Sequence, residues 1–306
     1  MAIREKIDWG KLAPLRIRAQ AVADGVYAGA HRSVRRGAGI EFGGHRNYVA
    51  GDDLRFLDRH ARMRHGLLLI REFETETDRS VRLLVDASAS MAYRSEWASL
   101  SKYEYAALIA AALGRIALLG GDRVALDFIG SHEQTRGLPS TGGREAFDRV
   151  VGHLEAITPA GPVTSTDLER SVAPSLRYAR RGSIVLVASD LVDLPETAAE
   201  LLSGLGAAGR ALIVLRVLDP AELTFPFHGP IALRAAEGST VVETDADPVR
   251  AAYLEALERA TRAFEQRVIA RGGRFIACST QDDPVAIVRQ VLLGIERAGE
   301  SLSQNS

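Results

Sequence analysis

The run Asp86-Ala87-Ser88-Ala89-Ser90-Met91 puts an aspartate and two serines at alternate positions, directly after the apolar run Val81 to Val85. Where a strand leaves a sheet, that spacing turns three oxygens toward one point above the sheet edge. Two more oxygen clusters share this setting. Thr164-Ser165-Thr166-Asp167 precedes an amphipathic segment, and Ser189-Asp190 follows the run Ile184 to Ala188. Hydroxyls and carboxylates without His or Cys form a hard-oxygen set suited to Mg²⁺ or Mn²⁺, with too few carboxylates for a rigid calcium cage. A second chemistry uses the same aspartate: Asp86 as nucleophile of a Mg²⁺-dependent phosphohydrolase. That reaction calls for a second carboxylate two residues on as general acid, and Ser88 stands there.

These groups need a scaffold that brings strand ends together. Val81 to Val85, Val124 to Ile129, Ile184 to Ala188, Ala211 to Val217 and Phe275 to Ala277 are short, branched or leucine-rich runs that read as buried strands. Between and after them lie helical segments at Tyr103 to Leu118, Arg144 to Ile157, Thr166 to Ala179, Pro195 to Leu205, Asp247 to Ala270 and Pro284 to Ile295. The alternation predicts an α/β, doubly wound, mostly parallel sheet of the Rossmann-like kind, whose ligands bind at the C-terminal strand ends. Asp219-Pro220 reads as a strand-ending turn, since proline stops the ladder.

Ahead of the sheet, a helix is expected over Leu12 to Ala23, ended by Asp24-Gly25. A Gly/Arg-rich stretch from Gly29 to Gly44 follows, with tight turns between short strands, and a further helix starts at Gly51-Asp52-Asp53. This part has few large apolar residues. The expected organisation is an N-terminal extension over 1–78, packed on an α/β domain over 79–298, with a polar, unstructured tail over 299–306.

Composition narrows the function classes. The chain has 306 residues, 46% hydrophobic and 25% charged, as in ordinary globular proteins. Its longest apolar stretch, Tyr105 to Leu119, is interrupted by Gly114 and Arg115, so no membrane span is expected. The start of the chain, with Arg4, Glu5, Lys6 and Asp8, does not resemble a secretory signal, which leads to a cytoplasmic expectation. Cys278 is the only cysteine, excluding an internal disulfide, and its neighbours Phe275, Ile276 and Ala277 suit a buried, inert thiol. None of the three lysines, Lys6, Lys11 and Lys102, sits in a phosphate-binding loop, and Gly37-x-Gly39 lacks the third glycine of a dinucleotide loop. The net charge of -1 argues against a nucleic-acid binder, although residues 1–71 are basic and 72–306 acidic.

Asp86-x-Ser88-x-Ser90, then Thr166, then Asp190, resembles the metal-ion-dependent adhesion site of a von Willebrand factor A domain. The resemblance implies Ser88, Ser90 and Thr166 as direct ligands, with Asp86 and Asp190 acting through water or close beside them. Thr164 competes with Thr166. Thr166 is preferred because Thr-Asp-Leu opens the helix, where it would equally serve as an N-cap. Further upstream, Arg46-x-Tyr48-x-x-Gly51-Asp52-Asp53-x-Arg55-x-x-Asp58, with Ala61-Arg62 and Arg71-Glu72-Phe73-Glu74, resembles the signature of a bacterial family of unknown function. Its members are commonly encoded beside MoxR-type AAA ATPases. Asp219-Pro220-Ala221-Glu222-Leu223 and Pro226-Phe227 fit the same family. Two departures stand out: Arg59 replaces the usual tryptophan, and the transmembrane helices of many relatives are missing. The resemblance implies a Mg²⁺-dependent protein-interaction module, not an enzyme. An acidic side chain of a MoxR-type AAA ATPase, or of its client, would complete the metal's coordination.

Overall fold

The computed structural model describes residues 14–30, 42–47, 69–73, 80–130, 137–192, 194–234 and 241–304. The chain forms two compact units, one of residues 30–78 and one of residues 1–29 with 79–306. Helix α1 (Leu15–Ala30) opens the chain, followed by β1 (Phe42–Asn47) and β2 (Leu69–Phe73). These two strands pair antiparallel, with His45 opposite Arg71 and Arg46 opposite Ile70, so the two ends of the arginine-rich signature form one hairpin-like ladder. The helix expected from Gly51 lies outside the described residues.

The larger unit continues through β3 (Ser80–Asp86), α2 (Lys102–Leu119), β4 (Arg123–Ile129), β5 (Leu138–Thr141), α3 (Ala146–Glu155), α4 (Ser165–Tyr178) and β6 (Ile184–Ser189). It ends with α5 (Ala198–Gly204), β7 (Ala211–Leu218), α6 (Pro220–Thr224), β8 (Pro230–Arg234), β9 (Val241–Asp245), α7 (Ala246–Ala270), β10 (Arg274–Ser279) and α8 (Pro284–Gln304). Its sheet has the order β10-β7-β6-β3-β4-β5. The first five strands run parallel and only the edge strand β5 is antiparallel.

Strand periodicity explains why helices cover both faces. Along β3, Val81, Leu83 and Val85 join the core beneath α1, α2, α3 and α8, while Leu84 joins the core beneath α4, α5 and α7. β6 and β7 divide in the same way: Leu186 and Leu215 face one core, Val187 and Val214 the other. All seven residues of β3 are buried, as the central strand of a doubly covered sheet requires.

Four details differ from the sequence expectation. First, α1 runs through Asp24-Gly25 instead of ending there. Gly25 lets the helix lie close against α8, since a Cβ there would lie 3.0 Å from Val285 Cγ2. Second, α1 belongs to the α/β unit and not to a separate extension. Val22 and Val26 enter its core, the Arg289 guanidinium donates to the Gly25 carbonyl, and Arg16 pairs with Asp148. The smaller unit ends at residue 78. Third, the expected tail is helical as far as Gln304. Fourth, β5 and the β8/β9 hairpin are additional strands.

One buried charge on the sheet makes stability pH-dependent. Asp127 on β4 lies 3.9 Å from the Arg82 guanidinium of β3, and burial pushes its carboxyl up to about 6 despite that cation. The folded state therefore holds this proton more tightly than the unfolded chain, and stability falls as pH rises from about 4 through 6. The full effect is on the order of 2–3 kcal/mol. Asp127→Asn cannot ionise. Thermal melts from pH 4 to 8 should show the variant gaining on the wild type across this window, and parallel curves would refute the assignment.

Candidate functional site

Asp86 ends β3 with its carboxylate completely buried. Its Oδ1 accepts the Ser88 N–H at 2.9 Å, which turns the chain out of the strand and into a short 3₁₀ helix, Ala89–Ala92. That turn brings the Ser88 and Ser90 hydroxyls within 3.1 Å of each other. Met91, wholly buried, anchors the loop from beneath. Ser189, at the end of β6, donates its hydroxyl to Asp86 Oδ2. Sequence reasoning placed Ser189 in the third oxygen cluster but gave it no role, and the structure joins the first and third clusters through it.

Asp190 is also fully buried. Its Oδ1 accepts the Val192 N–H at 3.0 Å and its Oδ2 accepts from Lys102 Nζ at 2.7 Å. Burial, and secondarily the Asp190 charge, raise the Asp86 carboxyl to about 6, against the lowering effect of its bonds from Ser189 and Ser88. The two carboxylates therefore repel each other inside the protein.

The second cluster is held against the first by the backbone. The Ala89 N–H donates to the Gly161 carbonyl and the Ala160 N–H to the Ala87 carbonyl, each at 3.0 Å. Gly130, just past β4, fits beneath both loops with φ +73°; a Cβ there would lie 2.8 Å from Val163 Cγ2 and 3.4 Å from the Ser88 nitrogen. The N-cap of α4 is Thr164, not Thr166. The Thr164 hydroxyl accepts the Asp167 N–H at 3.1 Å, and the Asp167 carboxylate accepts the Thr164 N–H in return. Thr166 sits exposed in the first turn of α4.

Sequence reasoning gave Lys102 no role at this site. It is the first residue of α2, its side chain is 1% exposed, and its ammonium contacts Asp190 Oδ2 and, at 2.6 Å, Glu222 Oε1. Burial opposes this charge, but the two carboxylates outweigh burial and hold its pKa above the usual lysine range. Glu222 is also the capping partner of Asp219, since its Oε2 accepts the Asp219 N–H at 2.8 Å. The expected turn at Asp219-Pro220 is therefore the capped start of α6, and the buried Asp219 further accepts the N–H groups of Ala221 and Ser95. Beside Ser90, Lys102 and Glu222 opens a cleft of about 930 Å³, walled by Tyr93, Phe225 and Tyr253. Cys278 is buried, as expected, and its thiol donates to the Arg216 carbonyl.

Among the described residues, no three His, Cys, Asp or Glu side chains gather as a cation cage. A cation at this edge would depend on hydroxyls beside carboxylates. The donor chemistry fits a small hard divalent ion: paired serine hydroxyls adjoin two buried, mutually repelling carboxylates with one ammonium between Asp190 and Glu222.

The fold and site define a doubly wound α/β protein with an acidic, hydroxyl-lined centre at the C-terminal edge of its sheet. The chain belongs to the family described as "Protein of unknown function DUF58", whose sequence model matches residues 44–263. It is 28% identical over 295 residues to Uncharacterized protein Rv1480 of Mycobacterium tuberculosis, covering 94% of this chain and 92% of that protein. Uncharacterized protein Mb1516 of Mycobacterium bovis is similar to the same extent. Among solved structures, BatB from Bacteroides thetaiotaomicron aligns with a TM-score of 0.47 and 18% identity, over 72% of this chain and 99% of that one. A von Willebrand factor type A protein from Catenulispora acidiphila aligns with a TM-score of 0.41 and 10% identity, over 76% of this chain and 44% of that one. No helix among the described residues is long and apolar enough to cross a membrane.

Proposed function

We propose that the chain is a metal-dependent protein-interaction module of the von Willebrand factor A kind. In this reading Asp86, Ser88, Ser90, Thr166 and Asp190 hold Mg²⁺ or Mn²⁺. The observation that carries it is the buried Asp86–Asp190 pair, whose repulsion a divalent ion would relieve, next to two serine hydroxyls turned to the same place. When bound, the ion supplies a position that a partner's carboxylate can occupy. Asp86 and Ser189 stiffen the loop that presents the serines, and the neighbouring cleft receives the residues flanking that carboxylate. The partner we favour is a MoxR-type AAA ATPase or a client it remodels, with this chain acting in the cytoplasm as adaptor or assembly factor. The alternative, a phosphohydrolase, is disfavoured because the position two residues after Asp86, where that chemistry calls for a second carboxylate as general acid, holds Ser88.

The test is affinity capture from the native host with Mg²⁺ and with EDTA, read by mass spectrometry. Recovery of an AAA ATPase only with Mg²⁺ supports the reading. Metal-independent recovery, or phosphatase turnover abolished by Asp86→Asn, overturns it. The two threonines separate cap from ligand. Thr164→Ala should cost about 1 kcal/mol of stability with Mg²⁺ affinity unchanged. Thr166→Ala should leave the melting temperature nearly unchanged and weaken Mg²⁺ binding, whereas Thr166→Ser should retain it. A Thr166→Ala chain that binds Mg²⁺ like the wild type would remove Thr166 from the ligand set.

A further inference from the structure

We propose that Lys102 is the built-in counter-cation of this centre: shared between Asp190 and Glu222, it sets the affinity of the site for a divalent ion. The proposal rests on the metal reading above. Asp86 and Asp190 are both fully buried, and Glu222 is largely so. Lys102 is the ammonium that reaches this group, with Nζ 2.7 Å from Asp190 Oδ2 and 2.6 Å from Glu222 Oε1. Arg216 is the other nearby cation: it donates to the Asp190 carbonyl and to Thr261 Oγ1, and its charge is felt by Asp190 and Glu222. With Asp219 also fully buried and bonded to Glu222, the four carboxylates of Asp86, Asp190, Asp219 and Glu222 outnumber the two cations Lys102 and Arg216, which leaves a net negative centre that attracts a divalent ion.

The position of Lys102 also explains why Glu222 matters to the site. One of its carboxylate oxygens caps α6 through the Asp219 N–H and the other holds the ammonium. Glu222 thus absorbs part of the lysine charge that would otherwise act on Asp190 alone. The turn after β7 is joined in this way to the end of β6 through one side chain of α2. Lysine suits the role because its ammonium is a compact point charge that can serve two carboxylates at once, whereas the planar guanidinium of arginine needs a wider berth.

Charge bookkeeping gives the two partners opposite signs. Removing Lys102 makes the centre more negative and should tighten divalent binding. Removing the Glu222 charge makes it less negative and should weaken binding. A role confined to packing would weaken binding in both. The experiment is a titration of the full chain with Mn²⁺, followed by electron paramagnetic resonance, and with Mg²⁺, followed by calorimetry. The chains compared are wild type, Glu222→Gln, Lys102→Met and the double variant. Each single change should shift the dissociation constant on the order of tenfold, Glu222→Gln upward and Lys102→Met downward, as expected for one charge a few ångströms from a divalent ion. The double variant restores the net charge and should return to within about threefold of wild type, about 0.7 kcal/mol. Glu222 is partly exposed at the cleft, so Glu222→Gln keeps the test decisive if Lys102→Met fails to fold. Glu222→Gln binding as tightly as wild type, or both single variants weakening together, overturns the proposal while leaving the metal reading intact. A wild-type chain that takes up neither ion overturns both.

Discussion

A chain carrying Asp86→Ala should take up no Mg²⁺ at concentrations that saturate the wild type, yet melt as a cooperative unit. Asp86 touches both halves of the site: its Oδ1 shapes the serine loop through Ser88 N–H and its Oδ2 ties that loop to Ser189. Without the carboxylate, the serines lose their orientation and the site loses half of its close negative pair. The fold is far less exposed to the change. Losing Asp86 leaves two buried donors short of an acceptor, each costing about 1–3 kcal/mol. The same change removes a buried charge that Asp190 opposes. These contributions have opposite signs, so stability in EDTA should move little compared with the loss of binding. Calorimetric titration beside thermal melts decides it. Unchanged Mg²⁺ affinity would remove Asp86 from the site.

The largest stability effect at the site should come from Gly130→Val. With φ at +73°, this position suits glycine, and a β-branched residue is among the least tolerant of that region. Space compounds the strain, because even a Cβ would lie 2.8 Å from Val163 Cγ2 and 3.4 Å from the Ser88 nitrogen. Backbone strain and overpacking together should cost about 3 kcal/mol or more. Relief requires Val163 and the Ser88 turn to move apart, so Mg²⁺ binding should weaken with stability. Denaturant melts and titration of the same preparation test both. A Gly130→Val chain with wild-type stability would show that the two loops are not packed against this position.

How much of this was readable beforehand depended on burial. The inner parallel strands announce themselves because a strand covered on both faces is nearly all apolar, as in Val81 to Val85 and Ala211 to Val217. The additional strands carry no such signal. β5 is four residues long and contains Pro139, which an edge tolerates, and the β8/β9 hairpin is largely exposed. Asp24-Gly25 has the look of a helix end, and the close approach to Val285, which a glycine inside α1 accommodates, is a tertiary contact with no local signal. At the candidate site, Asp86, Ser88 and Ser90 were picked out as alternate oxygens at a strand end, Asp190 as a carboxylate just past another strand and Thr166 as a hydroxyl opening a helix, all of them local patterns. Lys102 was not, since its partners lie 88 and 120 residues away. The available signal was chemical: a lysine opening an apolar helix, in a chain with only two others, both before residue 12.

The membership of α1 in the α/β unit changes the polymer physics of residues 30–78. The segment is no free tail. Its chain leaves one body at the end of α1 and re-enters the same body at β3, so even when unfolded it is a closed loop. Closing a loop removes conformational entropy from the disordered state, and lengthening it adds only a logarithmic cost. The tethers therefore lower the entropy that residues 30–78 gain on unfolding without making a single contact. A segment held in this way can vary in sequence or grow in length while both of its attachment points stay sewn into the unit that carries the site.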